Sequence, residues 1–287
     1  MKKIFKSLFL CLLVAFLFGG SGEDNIAQAA ENGYAIHVVD PKTGENKAYE
    51  KPEINDSLML KASEKYNENA VSPVNVIGND DRVLISNTSD YPYTTMARIT
   101  VTYQDGTSQS GSGAMIGSRL VATAGHVLIN DNLSHAKSII MEFGLYGSSR
   151  VYKTSSFSSY IYYGDYKGYD PNTDYGFIVL PDNSVSNVTG YMGVRTACDP
   201  YQAIYAAGYP GGNPYLFLCA GNVTSFTDEL LIINADFSAG QSGGPVYVMY
   251  QGVPYLMGNI SGNSGEINYV RRLDVGLYTW LVENGYR

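Results

Sequence analysis

The chain is 287 residues long, with 19 Lys and Arg against 27 Asp and Glu and a formal net charge of −8 at neutral pH. That acidic balance excludes nucleic acid as a partner, because a phosphate backbone would meet like charge. No stretch after the first 20 residues is long and apolar enough to cross a bilayer.

In chain order, Lys2, Lys3 and Lys6 precede an apolar run, "SLFLCLLVAFLF" from Ser7 to Phe18, and Ala27-Gln28-Ala29 places small residues where a signal peptidase cuts. Residues 1–29 therefore read as a secretory signal peptide, with a secreted, extracellular product and no membrane partner once the signal is gone. A membrane anchor is disfavoured because the run falls short of the roughly 20 residues a spanning helix needs. Cys11 leaves with the signal. Residues 30–75 are rich in Glu, Lys, Asp and Asn, with three Tyr as their only aromatics. Such a stretch cannot bury a core of its own, and it reads as a pro-segment or an extended linker.

From Val76 onward, 11 Lys and Arg face 17 Asp and Glu. This part is rich in Tyr, Val, Ile, Thr, Ser and Gly, a composition of strands and turns. Alternation is visible in "ARITVTY", where Ile99, Val101 and Tyr103 share a face, and Asp105-Gly106 follows as a hairpin signal. The serine- and tyrosine-rich "KTSSFSSYIYYGDYKGY" reads as a long surface loop. Short runs such as "SIIMEF", "YGFIVL", "AIYAAGY", "ELLIINA" and "GPVYVMY" recur between Gly, Asn, Asp and Pro. The pattern predicts an all-β sandwich or barrels rather than a parallel α/β sheet. One helix is expected at the end, over 274–285, with Asp274 as its cap, Leu277, Tyr278, Leu281 and Val282 at helical spacing, Gly285 closing it and Trp280 packed on the body. Cys198 and Cys219 remain in an oxidising setting, where one disulfide is expected and two free buried thiols are the alternative.

The chemistry turns on "FSAGQSGGPV", where Ser242 sits in a match to G-x-S-x-G. A serine hydroxyl needs a base, usually histidine. The chain has three histidines, and none follows Ser242. A nucleophile elbow runs Ser, acid, His along the chain, so that reading has no base and falls. His37 lies in the pro-segment and His135 among polar loop residues. His126, in "RLVATAGHVL", stands at the end of a buried strand where small residues let the backbone turn. The carboxylate that orients such an imidazole is assigned to Asp174, because "NTDYGFIVL" carries it directly into an apolar strand; Asp131, Asp165, Asp170 and Asp182 sit in looser settings.

The order His126, Asp174, Ser242 is that of the chymotrypsin-type proteases. "TAGH", "DYG" and "GQSGGP" resemble the three blocks of that fold. "VIGNDDR", "NTSDYPY", "MIGSRLVATAGHV" and "AAGYPGG" are similar to the bacterial glutamyl endopeptidase branch. The resemblance covers residues 76 to the C-terminal helix and implies two antiparallel six-stranded barrels, the first over about 76–187 and the second over about 188–272. It implies a serine endopeptidase acting on protein or peptide substrates as a monomer without cofactor or metal, with Gly240 and Ser242 as oxyanion donors. The specificity pocket implied comprises Asp236 at its base, Phe237, Asn259, Ser261, Gly262 and the α-amino group of Val76. Phe237 stands where that branch commonly has Thr, and Asn259 where it has a pocket histidine, so a preference for Glu before the cleaved bond rests on fewer groups here. Glu64 and Glu68 upstream of Asn75-Val76 allow self-processing. Two alternatives stay open: a catalytically silent protease-like binding or adhesion module, and a serine hydrolase of other specificity, an esterase included.

Overall fold

A computed structural model describes residues 35–50, 79–164, 166–264 and 267–287. The expected signal peptide, the cut near Asn75 and Val76 itself lie outside these residues. The chain is mostly β. It builds β1 (Ala35–Val39), β2 (Asn46–Glu50), β3 (Val83–Ile85), β4 (Met96–Tyr103), β5 (Ser108–Met115), β6 (Leu120–Thr123), the one-turn helix α1 (Gly125–Leu128), β7 (Ala136–Phe143), β8 (Tyr152–Thr154), β9 (Ser159–Tyr163) and β10 (Gly176–Val179). A second one-turn helix, α2 (Ser186–Thr189), leads to β11 (Gly193–Val194), β12 (Ala203–Gly208), β13 (Leu216–Phe226), β14 (Leu230–Ile233), β15 (Pro245–Tyr250), β16 (Val253–Ser264), β17 (Ile267–Arg272) and the terminal helix α3 (Val275–Glu283).

Alternation decides which faces are buried. In β4, Ile99, Val101 and Tyr103 are at most 1% exposed while Arg98, Thr100 and Thr102 between them are half-buried. Each such inward side chain contributes about 1.5–3 kcal/mol. Asp105-Gly106 turns β4 into β5 as its residues demand, and the two strands pair from Met96–Ala114 to Thr102–Ser108.

Two sheets result. In the second, β16 pairs with both β15 and β17, so β16-β15-β12-β13-β14-β17 closes into a six-stranded barrel. The first is an open path of nine strands, β2-β1-β9-β10-β6-β5-β4-β7-β8, where six closed strands were expected. The extra strands come from outside the expected boundaries. Residues 35–50, read as pro-segment, form a hairpin whose inner strand β1 pairs with β9. They have no core of their own, as composition required, but they borrow one. Residues 83–85, assigned to the first barrel, pair instead with β13 of the second. In the first case a sheet edge, and in the second the part of β13 that runs past β14, takes up a short strand remote in sequence, which local periodicity does not reveal.

Packing follows the sheets. Separate clusters fill the inside of each sheet, a third lies between the first sheet, the hairpin and α3, and a fourth, with Met96, Ala114, Tyr209 and Tyr247, joins the two halves. In α3 the Asp274 side chain accepts from Leu277 N at 2.9 Å, and Gly285 closes the helix at φ +72°. Trp280 is buried against Tyr49 of the hairpin and Tyr286.

The expected disulfide is absent. Cys198 and Cys219 are free, buried thiols in the second barrel's core. The Cys219 sulfur accepts from Asp236 N at 3.2 Å. Burial pushes the Cys198 thiol up to about 11, and the Cys219 thiol upward too, so neither presents a reactive thiolate.

Candidate active site

His126 is presented where β6 ends. Ala124 is still extended, and α1 begins at Gly125, whose missing side chain lets Tyr175 O approach to 3.0 Å of where a Cβ would stand. The turn lays His126 against Asp174. Nδ1 lies 3.0 and 2.9 Å from the two carboxylate oxygens, and the His126 backbone N–H donates to Oδ1 at 2.8 Å. Asp174 is fully buried, and Ser261 Oγ donates to its Oδ2 at 2.5 Å. A buried carboxylate is costly unless donors surround it; here the imidazole, an amide and a hydroxyl do so. Burial works to lower the His126 pKa, but the charge and hydrogen bond of Asp174 outweigh it, with Asp131 adding, and the imidazole titrates above its ordinary value of 6.5.

Ser242 sits in a loop pinned from several sides. Ser112 of β5 donates its N–H to Ser242 O at 2.7 Å and its hydroxyl to Gly240 O at 2.8 Å. Gly211 N holds Ala239 O at 2.6 Å, and Gly243 N donates to Ile260 O at 2.7 Å. Gly240 has φ +88°, and a Cβ there would stand 2.5 Å from Gly211 N, so this position admits only glycine without a shift of the loop. Among the described residues neither the Gly240 N–H nor the Ser242 N–H donates to a protein acceptor. Gly243 packs so closely that a Cβ on it would lie 2.8 Å from Ala124 N, two residues before His126. Ser242 and His126 are thus brought to one place, although Ser242 Oγ makes no direct hydrogen bond to the imidazole among the described residues. Such bonds commonly tighten only on substrate binding.

The remaining expected residues divide. Ser261 abuts Asp174, and Gly262 abuts Tyr169, whose hydroxyl would stand 2.2 Å from a Cβ at Gly262. Asp236 is buried, and its Oδ2 accepts from Asp81 N at 3.1 Å. Asn259 uses its Nδ2 to hold Gly243 O at 2.7 Å, supporting the loop that carries Ser242. Phe237 is fully buried and packs in the second barrel's core cluster. His135 lies apart, with Nδ1 3.0 Å from the Tyr160 hydroxyl. Asp170 and Asp182 hold their own turns through Asn172 and Ser184, and Asp165 lies outside the described residues.

Sequence reasoning missed two groups. Arg82 is held by Asp80 at 2.7 Å, reaches Gln241 Oε1 at 2.8 Å and Ser238 Oγ more closely still, and lies over the Phe217 ring. It braces the loop that carries Ser242. The only hint was its place in "NDDR", a wording noted without a role. Tyr169 stands 3.1 Å from Ser261 Oγ and edge-on to His126 at 5.7 Å between ring centres. It also lines a cleft of about 600 Å³ with Tyr163, Lys167, Asp170, Thr173 and Glu229.

A closed barrel and a second curled sheet, with a His–Asp pair from one and a serine loop from the other meeting between them, define the chymotrypsin fold. Residues 111–253 match the trypsin-like peptidase domain family. The chain is similar to the extracellular metalloprotease of Bacillus subtilis, 29% identical over 210 residues that cover 70% of this chain and 66% of that one. It is similar also to the glutamyl endopeptidase of Bacillus licheniformis, 31% identical over 179 residues, 60% of this chain and 54% of that one. It therefore spans only about two thirds and about half of the lengths of these relatives. Among solved structures, a Glu endopeptidase in complex with MPD superposes with a TM-score of 0.64 at 22% identity, covering 74% of this chain and all of that one. The protease Anisep from Arthrobacter nicotinovorans gives 0.52 at 18%, covering 69% of this chain and 99% of that one. Residues 111–253 thus resemble a trypsin-like peptidase domain, the fold is the chymotrypsin fold, and the chain is similar to the glutamyl endopeptidases. No helix among the described residues is long and apolar enough to cross a membrane.

Proposed function

We propose that the protein is a secreted serine endopeptidase working through His126, Asp174 and Ser242. The observation that carries this reading is the buried Asp174 carboxylate gripping both Nδ1 and the backbone of His126, next to Thr123 and Ala124, against which the Ser242 loop is packed. With Nδ1 donating to Asp174, Nε2 is the free base. It takes the Ser242 proton as Oγ attacks the substrate carbonyl, and the oxyanion falls to the N–H groups of Gly240 and Ser242. His126 returns the proton to the leaving amine, an acyl-enzyme forms, and water admitted by the same base releases it. The chain is read as made with a signal over 1–29 and activated by a cut near Asn75–Val76, with Glu64 and Glu68 as self-processing sites.

A preference for Glu before the cleaved bond is the favoured specificity, supported by the name of the Bacillus licheniformis relative. Neither Phe237 nor Asn259 carries a charge, and Arg82 lies close enough to Asp236 for their opposite charges to interact. An organophosphonate should label the processed protein on Ser242 and leave Ser242→Ala untouched. A folded, processed protein that takes no label would make the chain a silent protease-like module. Cleavage of a peptide library then reads specificity: enrichment of Glu supports the preference, enrichment of Lys or Arg reassigns the pocket to Asp236, and turnover of esters alone makes it an esterase.

A further inference from the structure

The hairpin of residues 35–50 is tied into the first sheet on both of its faces. Along its backbone, Ile36, His37, Val38 and Val39 pair with Tyr163, Tyr162, Ile161 and Tyr160 of β9. On one face Ile36 and Val38 are buried with Leu277, Trp280 and Leu281 of α3, and Tyr49 meets Trp280 edge-on at 5.2 Å between ring centres. On the other, Val39 joins the first sheet's inner cluster and the His37 ring lies 5.5 Å from that of Tyr162. Asn46 Nδ2 adds a hydrogen bond to the Tyr162 hydroxyl at 3.4 Å. Its turn is locally made, with Asp40 Oδ1 accepting from Lys42 N at 2.8 Å and Gly44 N donating to Asp40 O. Nothing in this hold needs the covalent link to the rest of the chain.

Removal of the hairpin would leave β9 as a bare edge with its N–H and C=O groups unpaired, and would uncover the apolar side of α3 and of Ile161. β9 is also the strand that runs into the loop bearing Tyr169 and Asp174. A segment that supplies two strands and seals a cluster is an added subunit in the manner of strand addition, not a cap over the cleft.

We propose that after the chain is cut between the hairpin and β3, residues 35–50 stay seated on β9 and α3 as a non-covalent second chain, so that the processed protein is a two-chain assembly. This rests on the reading of residues 30–75 as a pro-segment cut near Asn75. The test uses the full chain with Ser242→Ala and a foreign protease site inserted between residues 55 and 66. After complete cutting, the protein is passed at about 1 µM over a sizing column at neutral pH, and the eluted body is analysed by mass spectrometry and circular dichroism. The expected result is the body and the hairpin peptide at one to one. With Val38→Asp, retention should fall at least tenfold while the body stays folded, and with the exposed Lys42→Glu it should not change. A folded body that loses the unaltered hairpin, a body that unfolds on cutting, or full retention in Val38→Asp overturns the proposal. Because the protein tested is inert and cut by another enzyme, failure to label Ser242 elsewhere leaves this outcome standing. N-terminal sequencing of the naturally processed protein reports separately on the cut near Asn75.

Discussion

Replacing Arg82 by Met separates bracing of the catalytic loop from general stability. The Arg82 side chain is only 12% exposed, and its guanidinium spans Asp80 on one side and Gln241 and Ser238 on the other. Met keeps most of the stem that packs by Phe217 and removes the charge. Gln241 Oε1 then keeps the Ser238 N–H, 3.0 Å away, while Asp80, half exposed, turns to water. A hydrogen bond from a charged donor to a neutral acceptor contributes about 1.5–3 kcal/mol. If about 2 kcal/mol of that holds the 238–242 loop in register, kcat falls about 30-fold, at roughly 1.4 kcal/mol per decade. The loss should appear in kcat, with KM shifting less than about threefold, because the loop places donors for the transition state rather than the ground-state substrate. The same loss lowers Tm by about 4–8 °C in a domain of this size. Steady-state kinetics on a chromogenic peptide with parallel melts checks both. A kcat within twofold of the parent alongside the fall in Tm would refute the reasoning, leaving Arg82 as a structural clamp only. Asp80→Asn should fall between parent and Arg82→Met.

The other expectations concern the site and its surroundings. Gly240→Ala puts a methyl within 2.7 Å of three backbone atoms at positive φ, so the loop shifts and kcat drops by about 10²–10³; loss under threefold would deny Gly240 a role as oxyanion donor. Because the His126 pKa is raised and only its neutral form is a base, kcat/KM should climb with pH through a midpoint above 6.5. Asp174→Asn should lower that midpoint and cost about 10⁴ in kcat, as it does in the template triad; an unmoved midpoint counts against the pair. By linkage, the raised pKa adds stability below pH 6.5 that disappears as pH rises through the folded-state value, which thermal melts across pH can read in Asp174→Asn against parent. Finally, denaturation without reductant should release two thiols per processed chain to a colorimetric reagent, with neither reacting in the folded state; none released would restore the disulfide.

What was legible in the sequence was chemistry enforced locally. The alternation of β4, the Asp105-Gly106 turn, the Asp274 cap and the three blocks around His126, Asp174 and Ser242 each depend on residues within a few positions of one another. The hairpin at 35–50 escaped because its five-residue strands lie in a polar stretch, and composition taken over 46 residues diluted "AIHVV". The Asp40 and Gly44 turn signals were present, but the partner strand β9 is about 120 residues away. β3 escaped for the same reason. The cysteines were read from their compartment, whereas whether two sulfurs meet depends on side-chain direction. Phe237 was placed by correspondence with related sequences, and its packing in the second barrel's core depends on strands remote from it in sequence. Arg82 acts through a neutral glutamine far along the chain, a pairing that leaves no charge pattern to find.

Ser112 has a bearing on how the two halves can be exchanged. Its N–H and hydroxyl hold the carbonyls of Ser242 and Gly240, its carbonyl accepts from Thr123, and its Oγ accepts from Tyr209 N. One side chain and one peptide of the first sheet thus set the height of the nucleophile loop of the second. A chimaera that grafts a relative's second barrel onto this first half would fold on its own closed hydrogen-bond circuit whatever stood at position 112. Its reactivity would follow that single seam, so swapped halves can be well folded and inert, and activity recovered by restoring a serine there would mark the seam rather than the pocket as the point of failure.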